Sequence, residues 1–469
     1  MFRISQYMRE LACAEAQGRY PEAVRAARPG ASRGPVGPVV IWNLIRRCNL
    51  TCKHCYALSA DHDYAGELST REVFDVMDDL AAFRVPVLIL SGGEPLMRPD
   101  LFEIAARARA MGFYVGLSTN GTLIDEAMAD RVAGAGFDYV GISLDGLRDT
   151  HDRFRRLPGA FDRSLAAVRH LRAREVKVGL RFTMTAMNAH DLPALLDLMR
   201  AERAGKFYFS HLNYAGRGNI HRARDARFSA TREALDLLFE RAWSAAQQGL
   251  DEEYVTGNND ADGPWLLQWT AARMPHWTAP LRERLVAWGG NASGVNVANI
   301  DNLGQVHPDT MWWHHNLGSV RERPFSAIWQ DTRDPLMAGL KARPRAVGGR
   351  CARCVHFDIC GGNTRVRAQQ VTGDPWAEDP GCYLDDDEIA GAREGEVAGE
   401  GEAPRAAGRA PAGPAARLRR VEGRRLPQPR LQRHRPSGAG DVRRLRRRRP
   451  AAVAAARRPA RRGRRGAAR

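Results

Sequence analysis

Three cysteines fall within eight residues, as Cys48-x3-Cys52-x2-Cys55, directly after an apolar run that reads as a strand. Thiolates spaced this closely can take three corners of a cubane 4Fe–4S cluster, leaving one iron open to chelation by a small molecule. The alternative is structural zinc, with His54 or His62 as the fourth ligand that a tetrahedral site needs. A second set, Cys351-x2-Cys354-x5-Cys360-x21-Cys382, supplies four thiolates. These can close either a zinc tetrahedron or a further 4Fe–4S cluster. Full thiolate ligation leaves no open iron, which suits electron transfer. Cys13 stands alone, with no role assigned.

The elements around these cysteines follow one rhythm from Val39 to Asn213, an apolar run and then an amphipathic stretch. Strands are expected over Val39–Leu44, Val85–Leu90, Phe113–Ser118, Tyr139–Leu144, Lys177–Thr185 and Lys206–Leu212. Helices are expected over Thr70–Phe83, Asp100–Met111, Asp125–Ala135, Phe161–Arg174 and Leu192–Arg203. Ser69 with Glu72 makes a capping box at the first of them. Tandem β/α units imply parallel strands with right-handed crossovers, in a partial barrel or a doubly wound sheet. Glycine-rich or polar strings follow successive strands: Arg46–Tyr56, Ser91–Pro95, Ser118–Gly121, Ser143–Gly146 and His211–Gly218. In β/α barrels that rim carries the chemistry, so the expected fold is α/β, a partial (β/α)6 TIM-like barrel.

Composition divides the chain further. The formal charge of +17 would by itself suggest a nucleic-acid partner, but residues 391–469 hold 24 Arg and no Lys against 6 acidic residues. That tail carries +18, and residues 1–390 sum to −1. Without Phe, Trp, Tyr or Ile, it cannot offset its chain entropy by burial and is expected to be disordered. Its Arg/Ala/Gly/Pro bias is also that of GC-rich coding sequence read out of frame. The expected organisation is an N-terminal extension (1–35), a barrel core (36–220), a helical and Trp-rich connecting region (221–345), a small cysteine domain (346–390) and the tail. Tight cysteine clusters in a large chain point to a reducing compartment. With no secretory h-region and no run of about eighteen apolar residues, a soluble cytoplasmic protein is expected.

The Cys-x3-Cys-x2-Cys after the first strand and Gly92-Gly93-Glu94-Pro95 after the second resemble the radical S-adenosylmethionine (radical SAM) superfamily. The resemblance implies that Cys48, Cys52 and Cys55 hold a 4Fe–4S cluster, and that SAM chelates its open iron. It gives Gly92, Gly93 and Glu94 to the methionyl amine, and Asn120 and Ser143 to the ribose and methionine, with Arg181 or Arg155 for the carboxylate. The family usually has an aromatic residue just before the third cysteine. Here His54 stands there and Tyr56 follows, so the adenine contact falls to Tyr56. The second set resembles the auxiliary-cluster domain of radical SAM maturases, which implies a second 4Fe–4S cluster on Cys351, Cys354, Cys360 and Cys382. No acid/base residue is required.

More particular strings are Trp42-Asn43-Leu44, Gly66-Glu67-Leu68-Ser69-Thr70, His211-Leu212-Asn213-Tyr214-Ala215-Gly216-Arg217-Gly218, Thr256–Asp262, Trp288–Gly294 and Cys360–Arg365. Together they are similar to the NirJ family, radical SAM enzymes of haem d1 biosynthesis in denitrifying bacteria. That resemblance implies removal of propionate side chains from 12,18-didecarboxysirohaem, an electron donor such as a flavodoxin or ferredoxin, and a monomer. A polycarboxylated iron tetrapyrrole needs cations, flat walls and a histidine near iron. His211, Arg217, His307 and Arg365 are the candidate substrate contacts, with Arg367, His314 and His315 nearby in sequence. The competing readings are a peptide or small-molecule maturase and, in a different class, a zinc-stabilised nucleic-acid binder working through its basic tail.

Overall fold

A computed structural model describes residues 1–21 and 37–390. The expected disordered tail lies outside the described residues, as does much of the N-terminal extension. After α1 (Ile4–Gln17) come β1 (Val39–Asn43) and α2 (Thr70–Ala82), β2 (Val87–Ser91) and α3 (Leu101–Ala110), β3 (Tyr114–Thr119) and α4 (Glu126–Gly134). They are followed by β4 (Tyr139–Ser143) with α5 (Arg148–Arg155) and α6 (Ala160–Arg172), β5 (Val178–Met184) and α7 (Leu192–Ala201), and β6 (Lys206–His211) with α8 (Arg217–Ile220) and α9 (Phe228–Gln247). Each expected strand is present with its ends slightly shifted. The Ser69–Glu72 capping box closes the start of α2 from both sides.

The helical and Trp-rich region also adds strands to the sheet. It supplies β7 (Glu253–Gly257), α10 (Asp262–Arg273), α11 (Thr278–Trp288), β8 (Val297–Ile300), β9 (Gln305–His307), β10 (Gly318–Ser319), α12 (Phe325–Gln330) and α13 (Pro335–Lys341). The sheet order is β10-β9-β8-β1-β2-β3-β4-β5-β6-β7. β7 extends it in parallel beyond β6, and β8 pairs in parallel with β1 at the other side. β9 and β10 finish that side antiparallel. α1 packs on α9 and β7, and Phe2 bridges Thr256. Three short helices follow, α14 (Phe357–Cys360), α15 (Arg365–Thr372) and α16 (Asp386–Ala390); Cys360 ends α14, Cys351 lies in a 3-10 turn (Gly349–Arg353), and Cys354 and Cys382 lie in the loops between.

Period-two alternation separates the faces of the sheet. Val40, Trp42, Leu88, Leu90, Leu117, Ile142, Leu180, Phe207 and Phe209 are buried in one continuous core with the helices. The alternate positions form the inner face, and they include Asn43, Ser91, Ser118, Ser143, Arg181, Tyr208 and Asn299. Tyrosines fill its floor where glycines leave space. Gly141 and Gly179, in register on β4 and β5, flank the Tyr139 ring, and a Cβ at Gly257 would collide with the Tyr208 hydroxyl. The Arg181 guanidinium lies 5.2 Å from the Tyr208 ring centroid. Gly257→Ala is expected to lower the thermal unfolding midpoint at a cost of about 1–3 kcal/mol, typical of overpacking. Tyr208→Phe in the same chain should restore part of that loss.

Candidate functional site

The glycines after β2 were expected to admit a ligand, but what approaches them closely is the backbone of the cysteine loop. A Cβ on Gly92 would strike the Ile45 carbonyl, and one on Gly93 would strike those of Arg46 and Arg47. Gly93 N donates to Ile45 O at 2.6 Å, and Glu94 N to Arg47 O at 2.9 Å. The string after β6 grips the far end of the same loop. Gly216 sits at φ 52° with its α-carbon against the Cys55 and Tyr56 carbonyls, and Arg217 N donates to Cys55 O at 2.9 Å. The Arg217 guanidinium donates to Cys52 O at 2.6 Å and Ser59 O at 3.0 Å.

Within this grip Cys48 and Cys52 are buried with Leu50, and Cys55 and Leu157 pack on them. All eight cysteines are free thiols. Burial pushes the Cys48 thiol well above the usual range and raises that of Cys52, and their proximity to one another or to Cys55 adds to it. Donors face the sulfurs: Leu50 N at 3.4 Å from Cys48 Sγ, and Arg155 Nη1 at 3.6 Å from Cys52 Sγ. A desolvated thiol trio with such donors fits an iron–sulfur cluster, whose potential hydrogen bonds to sulfur tune. Arg155 also pairs with the buried Asp145, whose Oδ1 accepts from Thr183 N at 2.7 Å. His54 Nε2 is turned to Asp145, 3.7 Å away, and burial pushes its pKa down to about 4. The His62 ring lies tilted against that of Tyr64, 4.1 Å between centroids. Among the described residues no group of three or more His, Cys, Asp or Glu is placed to hold a single metal ion.

The Glu94 carboxylate, expected to accept from an ammonium, is 0% exposed. It already accepts from Leu96 N at 3.2 Å, Thr119 Oγ1 at 2.7 Å and Asn120 N at 2.8 Å. Glu94 is therefore a brace between the ends of β2 and β3, and burial pushes its pKa up to about 6. Asn120 Nδ2 donates to Asn49 Oδ1 at 2.9 Å and lies 4.0 Å from Cys48 Sγ, which sets it beside the thiols. Ser143 faces inward next to Arg181, which itself donates to Ser118 Oγ. The Tyr56 hydroxyl accepts from Asn43 Nδ2 at 2.8 Å. Arg155 is committed to Asp145 and Cys52, so of the two arginines only Arg181 remains on the inner face.

The second cysteine set lines one open-mouthed cavity, shared by Cys351, Cys354, Cys360 and Cys382 with Ala261 and Leu384. Burial raises all four thiols, Cys382 to about 11. Four convergent thiols around a space, none in a disulfide, form a donor set that fits a cluster. The loop after β7 docks this cavity on the barrel: Asn259 Nδ2 donates to Gly381 O at 2.9 Å, and Asp260 N to Asn363 Oδ1 at 2.6 Å.

The four expected substrate contacts are each hydrogen-bonded or ion-paired within the fold. His211 shares the parity of Phe207 and Phe209 and points into the helix layer, 3.0 Å from Asp262, which also accepts from the Tyr383 hydroxyl at 2.8 Å. His307 is held through both nitrogens, Nδ1 2.8 Å from His315 O and Nε2 3.3 Å from Asp301. Arg217 is spent on the cysteine loop. Arg365, 0% exposed, donates to the carbonyls of Gly362, Asn363, Pro375 and Ala377. Arg367 is paired with Asp379 at 2.7 Å, His314 bonds Gln369, and His315 bonds Asp334. Residue type and loop position suggested these sites, but local backbone acceptors claim the charges. Conversely, sequence reasoning passed over Asp145 as the partner of Arg155, and Asn43 with Asn299.

Fold and site together define a partial-barrel β/α enzyme whose chemistry sits on the C-terminal ends of parallel strands. The Radical SAM superfamily domain matches residues 42–199. The chain is 53% identical over 386 residues to the pre-heme d1 synthase of Dinoroseobacter shibae, spanning 82% of this chain and 92% of that protein. It is 47% identical over 355 residues to the Fe-coproporphyrin III synthase of Methanosarcina barkeri, spanning 75% and 89%. The structure of Streptococcus suis SuiB bound to its precursor peptide SuiA has a TM-score of 0.60 over 74% of this chain and 76% of that one, at 15% identity, a likeness of fold alone. The chain belongs to the radical SAM superfamily and is a radical SAM enzyme. The family works with a 4Fe–4S cluster and SAM. No helix among the described residues is long and apolar enough to cross a membrane.

Gly93→Ala is expected to unseat the cysteine loop, since its methyl would meet two carbonyls. Iron bound after anaerobic reconstitution should fall clearly below that of the parent chain, because the loop that would hold the family's cluster is displaced. Circular dichroism should show the secondary structure unchanged. Full iron content in this variant would show that the seat is not needed.

Proposed function

We propose that this enzyme acts in haem d1 biosynthesis, removing propionate side chains from 12,18-didecarboxysirohaem. The observation that carries the reading is the 53% identity across 92% of a pre-heme d1 synthase. Cys48, Cys52 and Cys55 would hold the SAM-chelating cluster. When bound, cluster and SAM supply a 5′-deoxyadenosyl radical able to take hydrogen from an unactivated carbon. The chain's own residues then have three tasks. Gly92, Gly93 and Gly216 fix the loop through backbone contacts, while Glu94 and Asn120 align the β3 end beside Cys48. Asn120, Ser143, Tyr56 and Arg181 line the inner face for SAM. Leu50 and Leu157 keep water from the thiols, which protects a radical reaction from side routes.

Cys351, Cys354, Cys360 and Cys382 would hold an auxiliary 4Fe–4S cluster whose complete ligation suits electron transfer, with a flavodoxin or ferredoxin as external donor. Eight free thiols favour a reducing cytoplasm. The enzyme is read as a monomer that does not engage nucleic acid.

Anaerobic iron and sulfide analysis with EPR should find about eight irons per chain, and about half of these should disappear on replacing Cys48, Cys52 and Cys55 by alanine. Incubation of the reduced enzyme with SAM and 12,18-didecarboxysirohaem should give 5′-deoxyadenosine and, by mass spectrometry, a macrocycle lacking two propionates. Zinc in place of iron, or tight peptide binding without tetrapyrrole binding, would overturn the reading.

A further inference from the structure

With Arg217 and Arg365 spent on carbonyls, the charge that can meet a substrate carboxylate lies elsewhere in the barrel mouth. Arg46 precedes Arg47 and Cys48 and is half-buried. Its backbone N donates to Glu67 Oε1 at 2.8 Å, and its Nε to Ala57 O at 3.0 Å, which fixes both ends of the residue. The guanidinium carbon stands 4.8 Å from the Tyr64 ring centroid and 5.8 Å from that of Trp313. Its two terminal amino groups meet no acceptor among the described residues. Arg47 differs: its guanidinium is turned outward to Asp61 at 2.7 Å and Asp63 at 2.8 Å.

Trp313 belongs to the loop between β9 and β10. Its ring lies parallel to that of His307 at 6.3 Å and meets Tyr56 edge-on at 5.9 Å. His307, pinned through both nitrogens, serves as its backing. Trp313 Nε1 is buried and has no hydrogen-bond partner among the described residues. A buried N–H without an acceptor is costly, and it marks a position where an acceptor from outside the chain is favoured. Guanidinium groups stacked on aromatic rings keep their N–H edges free for the two oxygens of a carboxylate.

We propose that Arg46 and Trp313 form a carboxylate subsite for the macrocyclic substrate, Arg46 supplying paired donors and Trp313 a further N–H, beside the loop that carries Cys48, Cys52 and Cys55. The inference rests on the tetrapyrrole reading above and adds the residues that recognise the anionic side chain. Arg46 and Trp313 are positioned to bind, and take no part in bond breaking.

The test is an anaerobic absorbance titration of the reconstituted full chain with iron coproporphyrin III and, in parallel, with its tetramethyl ester. Arg46→Gln should weaken binding of the free acid about ten- to a hundred-fold, the range for a hydrogen bond to a charged group, and leave the ester unchanged. Arg46→Lys should recover part of the loss, and Trp313→Phe, which keeps a ring and deletes the N–H, should weaken the acid several-fold. Iron content and SAM affinity serve as controls and should match the parent chain. Equal loss for acid and ester, or loss of SAM affinity in Arg46→Gln, would overturn the subsite while leaving the tetrapyrrole reading intact. No binding of either porphyrin by the parent chain would overturn both.

Discussion

The contact on which the site depends is one of main chain against main chain. Gly92 and Gly93 let the end of β2 lie directly on the carbonyls of Ile45, Arg46 and Arg47, and Gly216 does the same against Cys55 and Tyr56. A loop with three thiols has little regular structure of its own to hold it. Carbonyls and N–H groups are obligatory hydrogen-bonding partners, so once two neighbouring strand ends satisfy them the loop has a defined position. Glu94 adds the lateral tie, joining β2 to the Thr119–Asn120 corner of β3 through two buried hydrogen bonds, with a local third from Leu96 N. Burying a carboxylate is expensive, and these donors offset the cost.

A second principle governs the C-terminal region, where charge replaces apolar packing. Its own clusters are small, Tyr383, Leu384 and Ile389 with Ala261 in one, and Trp312, Leu336, Leu340 and Val366 in another. Arg345, Arg365 and Arg367 are buried there and bind carbonyls or Asp379. Arg345 and Arg365 each close several carbonyls, while Arg367 pairs with Asp379 and closes Leu212 O. Asp262, between His211 and Tyr383, ties that region to the end of β6. The two cysteine regions thus share one scaffold, because the loop after β7 belongs to the sheet at one end and to the second cavity at the other.

The strands β1 to β6 were legible because their helix-facing residues are strongly apolar and their loops glycine-rich. The place of the cysteine loop was legible because an apolar run leads directly into it. β7 and β8 were not: Glu253–Gly257 and Val297–Ile300 are short, and their small or polar inner residues hide the alternation. α5 is polar on its surface and too short for periodicity to reveal. Substrate-contact residues were the least legible. Type and position nominate His211, Arg217, His307 and Arg365, yet the partner of a polar side chain is set by which carbonyl the fold brings near, and that is a property of tertiary structure. Glu94 shows the same limit, since its motif was evident while its buried bracing role depended on the distance between two strand ends.

Arg46 joins a backbone role and a side-chain role. Its carbonyl is part of the seat on Gly93, whereas its side chain, tied to the same loop by Nε donating to Ala57 O, carries the guanidinium toward Tyr64 and Trp313. The carbonyl is common to every amino acid, so exchange of the side chain leaves the contact with Gly93 in place and gives up the bond to Ala57 O. One residue thus lets a scaffold vary what a side chain meets while its carbonyl goes on holding the cysteine loop against β2.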